Sequence, residues 1–234
     1  MAKHGKKYKN ALAKAGDRLV ALPVNDALMK VKDFSYVKFN ESVDLSLNLG
    51  IDAAKGDQVV RGSVLLPHGT GRKARVIVFA KGDYAFVAEK AGADYVGAED
   101  LIKKIEDGWM DFEYAVATPD MMGAVGKLAK LLGPRGLLPN KKVGTVTFDV
   151  GPMVLDLKKG RSFFKNDKQG IVHMSIGKIS FDIVQLRDNV VAAIKSVLAV
   201  KPAAAKGRYL KKATVASTMG VGFMVSLDEF IRTA

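Results

Sequence analysis

Arg75-Val-Ile-Val-Phe-Ala80 is a short apolar run closed by Lys81-Gly82, the pattern of a buried strand. Residues 84–91 then read as a helix, 94–97 as a strand, 101–105 as a helix and 114–117 as a third strand. Met121, Val125, Leu128 and Leu132 mark one face of a further helix. Three βα units in a row imply a small parallel sheet with crossover helices. After a break at 133–139, a strand is predicted over 143–150 and a last helical piece over 154–159.

The texture differs on both sides of this block. Pro67-His-Gly-Thr-Gly71 is a turn-rich break that follows a predicted strand over 60–66. From Val37 onward, Phe39, Val43, Leu45, Leu47 and Leu49 alternate with Lys38, Asn40, Ser42, Asp44, Ser46 and Asn48. That period predicts a strand with one face buried and one wet, and only Glu41 interrupts the apolar row. The wet face suits contact with a polar partner and equally suits plain solvation. Leu12, Leu19 and Leu22, then Ala27, Leu28 and Val31, predict two short helices, the second capped by Asn25. Beyond Gly160, residues 161–164 and 171–176 read as a hairpin around the turn 165–170. Ile183, Leu186, Val190, Ile194 and Val197 then recur at helical spacing up to Pro202. A basic loop at 206–212 leads into strands over 213–217 and 223–225.

Of the 234 residues, 37 are Lys or Arg and 24 are Asp or Glu, a formal net charge of +13. With 48% hydrophobic residues and 7 Pro the chain has the composition of a folded protein. It has no Cys, which excludes disulfides, thiol nucleophiles and cysteine zinc sites. No run approaches the ~20 apolar residues of a membrane span. The basic first residues lead into Asn10-Ala-Leu-Ala-Lys14 rather than the apolar core of a secretory signal. The charge is uneven: residues 68–159 carry 14 basic against 12 acidic side chains, net +2, and the rest carries 23 against 12, net +11. The flanks therefore read as one discontinuous domain, 1–67 with 160–234, that faces a polyanion. The block 68–159 is then an insertion, with Pro67 and Gly160 as the hinge between the two.

Enzyme chemistry finds little support. Gly69-Thr-Gly71-Arg-Lys73 and Gly133-Pro-Arg-Gly136 superficially resemble phosphate loops, but neither has the residue order of a P-loop or a dinucleotide fingerprint. A nucleotide-dependent enzyme using the αβ block is accordingly the alternative reading. His4, His68 and His173 lack partners at metal-ligand spacing, and no serine sits in a nucleophile elbow. No catalytic residue, metal or cofactor is expected, and the acidic pairs Glu99-Asp100 and Glu106-Asp107 read as solvated helix faces. Ser217-Thr-Met-Gly-Val-Gly222 is open to two readings: a hairpin turn, or a contact in which glycines allow close approach, hydroxyls donate to ribose or phosphate and Met219 presses on a sugar or base.

Several runs together resemble one family. Asn48-Leu-Gly-Ile-Asp52, Arg61-Gly-Ser-Val-Leu-Leu-Pro-His-Gly-Thr-Gly71, Ala91-Gly-Ala-Asp-Tyr-Val-Gly97, Ala117-Thr-Pro-Asp120, Leu132-Gly-Pro-Arg-Gly-Leu-Leu-Pro-Asn140, Lys165-Asn-Asp-Lys168 and Ser217-Thr-Met-Gly220 are similar, in order and nearly end to end, to the bacterial large-subunit ribosomal protein L-one family. The resemblance implies an α/β (α+β plus α/β) protein with a discontinuous split β-α-β-type domain and an inserted Rossmann-like three-layer domain. It implies binding to large-subunit rRNA at the mobile stalk near the tRNA exit site, beside other ribosomal components in the cytoplasm. It further implies assistance to release of deacylated tRNA, and repression of translation through the protein's own messenger RNA. Carried over by position, the RNA-binding residues are Lys38, Phe39, Glu41, Ser42, Asp167, Lys168, Gly170, His173, Ser217, Thr218, Met219 and Gly220. The acidic members, Glu41 and Asp167, are expected to orient lysines or accept from RNA hydroxyl or amino groups. Val59 and Lys141 depart from the family's usual Asn and Pro, and Lys141 is expected to loosen its loop.

Overall fold

The computed structural model describes residues 5–17 and 20–231, so His4 and Leu19 lie outside the described residues. In chain order it contains α1 Lys6–Ala15, α2 Val24–Asp33, β1 Ser42–Leu49, β2 Arg61–Leu65, β3 Val76–Phe79 and α3 Asp83–Lys90. There follow β4 Tyr95–Gly97, α4 Glu99–Glu106, β5 Tyr114–Ala117, α5 Met122–Val125, α6 Ala129–Leu132 and α7 Val150–Lys159. The chain continues with β6 Arg161–Lys165, β7 Ile171–Lys178, α8 Ile183–Ala199, β8 Leu210–Ser217, β9 Phe223–Val225 and α9 Asp228–Ile231. This mixture is an α/β fold, and the chain divides into two compact units, residues 1–71 with 162–234 and residues 72–161.

The first unit is built on an antiparallel sheet of order β7-β1-β8-β9. β1 lies between two neighbours, and its side-chain alternation sets the layering: Val43, Leu45, Leu47 and Leu49 are buried, while Asp44, Ser46 and Asn48 are half-buried on the opposite face. The buried row packs with Ala27, Leu28 and Val31 of α2 and Leu186, Val190, Ile194 and Val197 of α8. Each fully buried Leu contributes roughly 1.5–3 kcal/mol, so a one-residue slip of β1, which would expose the whole row, is strongly disfavoured. α8 starts on a capping box in which Asp182 and Gln185 satisfy each other's backbone N–H groups. Burial pushes the Tyr209 phenol up to about 12, so its hydroxyl stays a donor to the Val197 carbonyl at 3.2 Å.

A buried amide ties down the turn after β2. Asn189 on α8 is fully buried, accepts from the His68 N–H at 3.1 Å and donates to the carbonyls of Gly69 and Ile176 at 3.0 and 2.7 Å. Gly71, at φ +70°, is packed so closely that an added Cβ would stand 2.9 Å from Lys178 Cγ and 3.1 Å from Phe181 Cζ.

The second unit has a parallel sheet of order β4-β3-β5. Ile77, Phe79, Ala115 and Ala117 join Leu101, Ile105, Val125, Leu128 and Leu132 in one core. α3 and α7 pack together, and α7 packs on β3 and β5.

Several sequence expectations need correction. α1 ends at Ala15, and Leu22, placed in the same predicted helix, instead forms a β-bridge to Val225. The cap of α2 is Pro23, whose fixed φ suits that position, and Asn25 lies inside the helix. The strand predicted from Val37 starts only at Ser42, and Phe39 is 55% exposed in a bend. Residues 119–132 form a chain of short α and 3₁₀ turns rather than one helix. Residues 143–150 are not a strand: only Val146 bridges Ala117, and Val150 already opens α7, which is longer than the predicted piece. β6 and β7 meet across the turn only through the antiparallel bridge of Asn166 to Val172, and the ladder expected of a hairpin is replaced by pairing of β6 with β2 and of β7 with β1. The loop carrying Lys141 stays tight: Asn140 Oδ1 accepts from Lys142 N–H at 2.8 Å, and Asn140 N–H donates to Thr145 Oγ1 at 2.7 Å.

Candidate nucleic-acid interface

The polar face of the first unit's sheet runs along β1. Asp44 lies opposite Ser175 and Ala216, Ser46 opposite His173 and Thr214, and Asn48 opposite Ile171 and Lys212. The sequence-predicted residues gather at the two ends of this strand, six residues and therefore roughly 20 Å apart.

At the start of β1, Glu41 is only 1% exposed, so it continues the buried row instead of lying on the surface. One carboxylate oxygen accepts from the Met219 N–H at 2.7 Å and the other from the Ser35 hydroxyl at 2.7 Å. Its expected place among the RNA-facing groups is thus corrected: Glu41 holds the loop that faces outward. Ser42 is likewise buried; its N–H donates to Thr218 Oγ1 at 3.1 Å and its hydroxyl accepts from Lys178 Nζ at 2.8 Å. The Thr218 hydroxyl also lies 3.3 Å from the Ser42 carbonyl, to which it donates, so its proton and one lone pair fix the loop, while this exposed residue keeps a second lone pair uncommitted. The Met219 carbonyl accepts from the Tyr36 hydroxyl at 2.6 Å. Ser217 is buried, and an added Cβ on Gly220 would meet its Oγ at 2.2 Å, which explains the glycine. What this end presents is the Met219 side chain, 51% exposed, with exposed Lys38 and Phe39 in the bend before β1.

At the other end, Asp167 organises the turn between β6 and β7. Its Oδ1 accepts from the N–H groups of Gln169 and Ile171, both at 2.8 Å. These bonds, the one from Ile171 foremost, hold the carboxyl below its ordinary range. Gly170, at φ +76°, closes the turn and its carbonyl accepts from Leu49 N–H at 3.0 Å. Lys168 is exposed at the tip.

Ser46, His173 and Asp167 fall into the order of a hydrolase triad, and geometry decides against one. Ser46 Oγ is 3.0 Å from His173 Nδ1, but Asp167 Oδ2 is 4.0 Å from Nε2, beyond hydrogen-bond reach. Ser46 also sits mid-strand between two paired neighbours, where the backbone amides are committed to the ladder and form no oxyanion hole.

Sequence reasoning missed several contributors. Lys6, Lys7 and Tyr8 of α1, with Tyr36, Thr218, Met219 and Gly220, line a cavity of about 530 Å³ beside the loop. Lys178 reaches the same end of β1. The basic start of the chain is a visible signal for the lysines, whereas nothing local marks Tyr36 or Lys178. In the second unit, Lys81 at the carboxyl end of β3 is paired with Glu99 at 3.0 Å, and its hydrogen bond lowers the Glu99 carboxyl. Among the described residues no group of three metal-ligating side chains occurs, and no helix is long and apolar enough to cross a membrane.

Exposed lysines set around loops whose backbone is fixed from beneath are what a nucleic-acid-binding protein needs. The model of the Ribosomal protein L1p/L10e family matches residues 31–221, most of the chain, and the chain belongs to that family. It is therefore a ribosomal protein of the large subunit that binds rRNA, and not an enzyme.

Proposed function

We propose that the first unit makes the specific rRNA contact at the mobile stalk, through the two ends and the polar face of its sheet. The observation that carries this reading is the set of bonds that Tyr36 and Ser42 donate to Met219 and Thr218 and that Glu41 accepts from Met219, which preorganises an outward loop before any ligand arrives. In this reading Lys6, Lys7, Lys38 and Lys168 neutralise phosphates and set the salt dependence. Met219 and the loop backbone read ribose and folded shape. Lys38, Phe39, Lys168, His173, Met219 and Gly220 act at the surface, while Glu41, Ser42, Asp167, Gly170, Ser217 and Thr218 hold it in place.

The same surface would bind a messenger segment folded like the stalk, so repression through the protein's own messenger RNA follows as competition for one site. Exposed Lys127, Lys130, Arg135, Lys141 and Lys142 lie in a stretch of the second unit without a carboxylate, which supports an approach of exit-site tRNA to that side and a part in its release. Domain boundaries near Pro67 and Gly160 belong to this proposal. Because Asn189 clamps residues 68 and 69 and Gly71 is packed, we place the first joint after Gly71 and the second at Gly160, φ +107°. The test is filter binding of the full chain to a stalk rRNA fragment and to a DNA hairpin of the same sequence across a salt series. Met219→Ala should weaken RNA binding at constant salt slope, and Lys7→Ala should lower the slope by about one. Equal affinity for RNA and DNA would refute the reading.

A further inference from the structure

We infer that the second unit carries a pocket for a single unstacked guanine nucleotide, formed by Tyr95, Lys104, Asp107 and Trp109. This rests on the RNA-binding reading but concerns a different unit and a different kind of contact. The cavity measures about 340 Å³ and these four residues line it; ligand pockets run from about 300 Å³ upward.

The pocket is built by a helix end. Behind α4, Gly108 at φ +100° lets its own N–H reach the Ile105 carbonyl at 3.0 Å and the Trp109 N–H reach the Lys104 carbonyl at 3.0 Å, the paired bonds of a Schellman motif. Lys104, Asp107 and Trp109 are therefore fixed on one turn. Tyr95, at the start of the edge strand β4, meets Trp109 edge to face, with ring centroids 4.8 Å apart and planes at 80°. Trp109 in turn leans on buried Phe112 at 5.6 Å. Tyr95 nevertheless remains 40% exposed, so the aromatic wall reaches the surface.

Four polar groups there are unspent. Among the described residues Lys104 and Asp107 form no ion pair, and the Tyr95 hydroxyl and the Trp109 indole N–H have no hydrogen-bond partner. An aromatic wall offers stacking to any base. A cation three residues from a carboxylate, without pairing to it, suits a ligand with an anionic end and a donor edge. A nucleotide has both: its phosphate meets Lys104, and the adjacent N1–H and N2–H groups of guanine match the two oxygens of Asp107. Uracil offers one donor on that edge. The C-terminal end of α4 adds partial negative charge beside Asp107, favouring donors further. An arginine side chain of a protein partner would satisfy Asp107 and the rings but would meet Lys104 as a like charge. The pocket lies at the amino end of β4, whereas open α/β sheets bind cofactors at the carboxyl ends of their strands, so it is not a cofactor crevice.

The chain has one Trp, so the ¹⁵N-labelled full-length protein gives a single indole cross-peak that reports this pocket alone. Titration with GMP should move it saturably, at least about fivefold more tightly than UMP, with inorganic phosphate and N-acetylarginine amide far weaker. Asp107→Asn should abolish the preference for GMP over UMP, and Lys104→Ala should weaken GMP while leaving guanosine unchanged. An indole peak that GMP leaves unmoved, or that UMP or the arginine probe moves equally well, overturns the proposal. Filter binding of the same sample to rRNA separates the two readings: intact rRNA binding with an unmoved peak removes only the pocket. A GMP response without rRNA binding removes its assignment to RNA.

Discussion

Replacing Glu41 by Gln tests the arrangement on which the proposed interface depends. The carboxylate accepts two hydrogen bonds of 2.7 Å, from Met219 N–H and the Ser35 hydroxyl, in a place only 1% exposed. Bonds to a charged group are worth about 1.5–3 kcal/mol against about 0.5–1.5 for neutral ones, so the loss is about 1 kcal/mol each and about 2 kcal/mol for the pair. The volume is unchanged, so no cavity term is added. If the loop must be held in its present form to bind, stalk rRNA affinity falls about 30-fold. The assay is filter binding at several salt concentrations, with thermal unfolding as a control for the fold. The sign is diagnostic: Glu41→Gln raises the net charge, so a surface that merely attracts phosphates would bind RNA more tightly. Unchanged or tighter binding, or an altered salt slope, would refute the positioning role.

Gly220→Ala puts a Cβ 2.2 Å from the buried Ser217 Oγ and should cost about 1–3 kcal/mol by overpacking, read as lost RNA affinity; Ser217→Ala in the same chain should restore much of it. Asn189→Leu removes three buried hydrogen bonds and leaves the His68 N–H and two carbonyls unanswered, a cost of about 3 kcal/mol or more in thermal or denaturant unfolding; a change below about 1 kcal/mol would show that the turn is held by other means. The Asp167 carboxyl is held below its ordinary range, so its turn is fully supported at neutral pH and loses that support as acidification passes through the lowered value. Amide exchange at Gln169 and Ile171 should therefore speed up in that acid range in the native chain and be pH-independent, beyond the intrinsic rate, in Asp167→Asn.

The layering of β1 was legible because a strand buried on one face writes its period directly into the residues, and Glu41 kept its place in the buried row although it is charged. The same alternation misled at Phe39, since an apolar residue of matching parity can stand in a bend just before the strand. Residues 161–176 show the limit of turn chemistry. Asp167 and Gly170 do make the predicted turn, but the strands on either side choose β2 and β1, partners far away in sequence that no local signal names. For the proposed interface, the run 217–220 itself suggests Met219 and Gly220, whereas the places of Tyr36, Glu41 and Lys178 depend on contacts between residues 136 to 183 positions apart.

That separation has a consequence for synthesis. Ser35, Tyr36, Glu41 and Ser42 leave the ribosome early, and the loop they hold, 217–220, comes more than 170 residues later. A chain interrupted just before Ser217 retains all of its lysines and its general attraction for RNA, yet it has no loop to fix. On the proposed reading, tight binding is thus reserved for chains that have reached this loop, and shorter ones compete only through weak, salt-sensitive contacts.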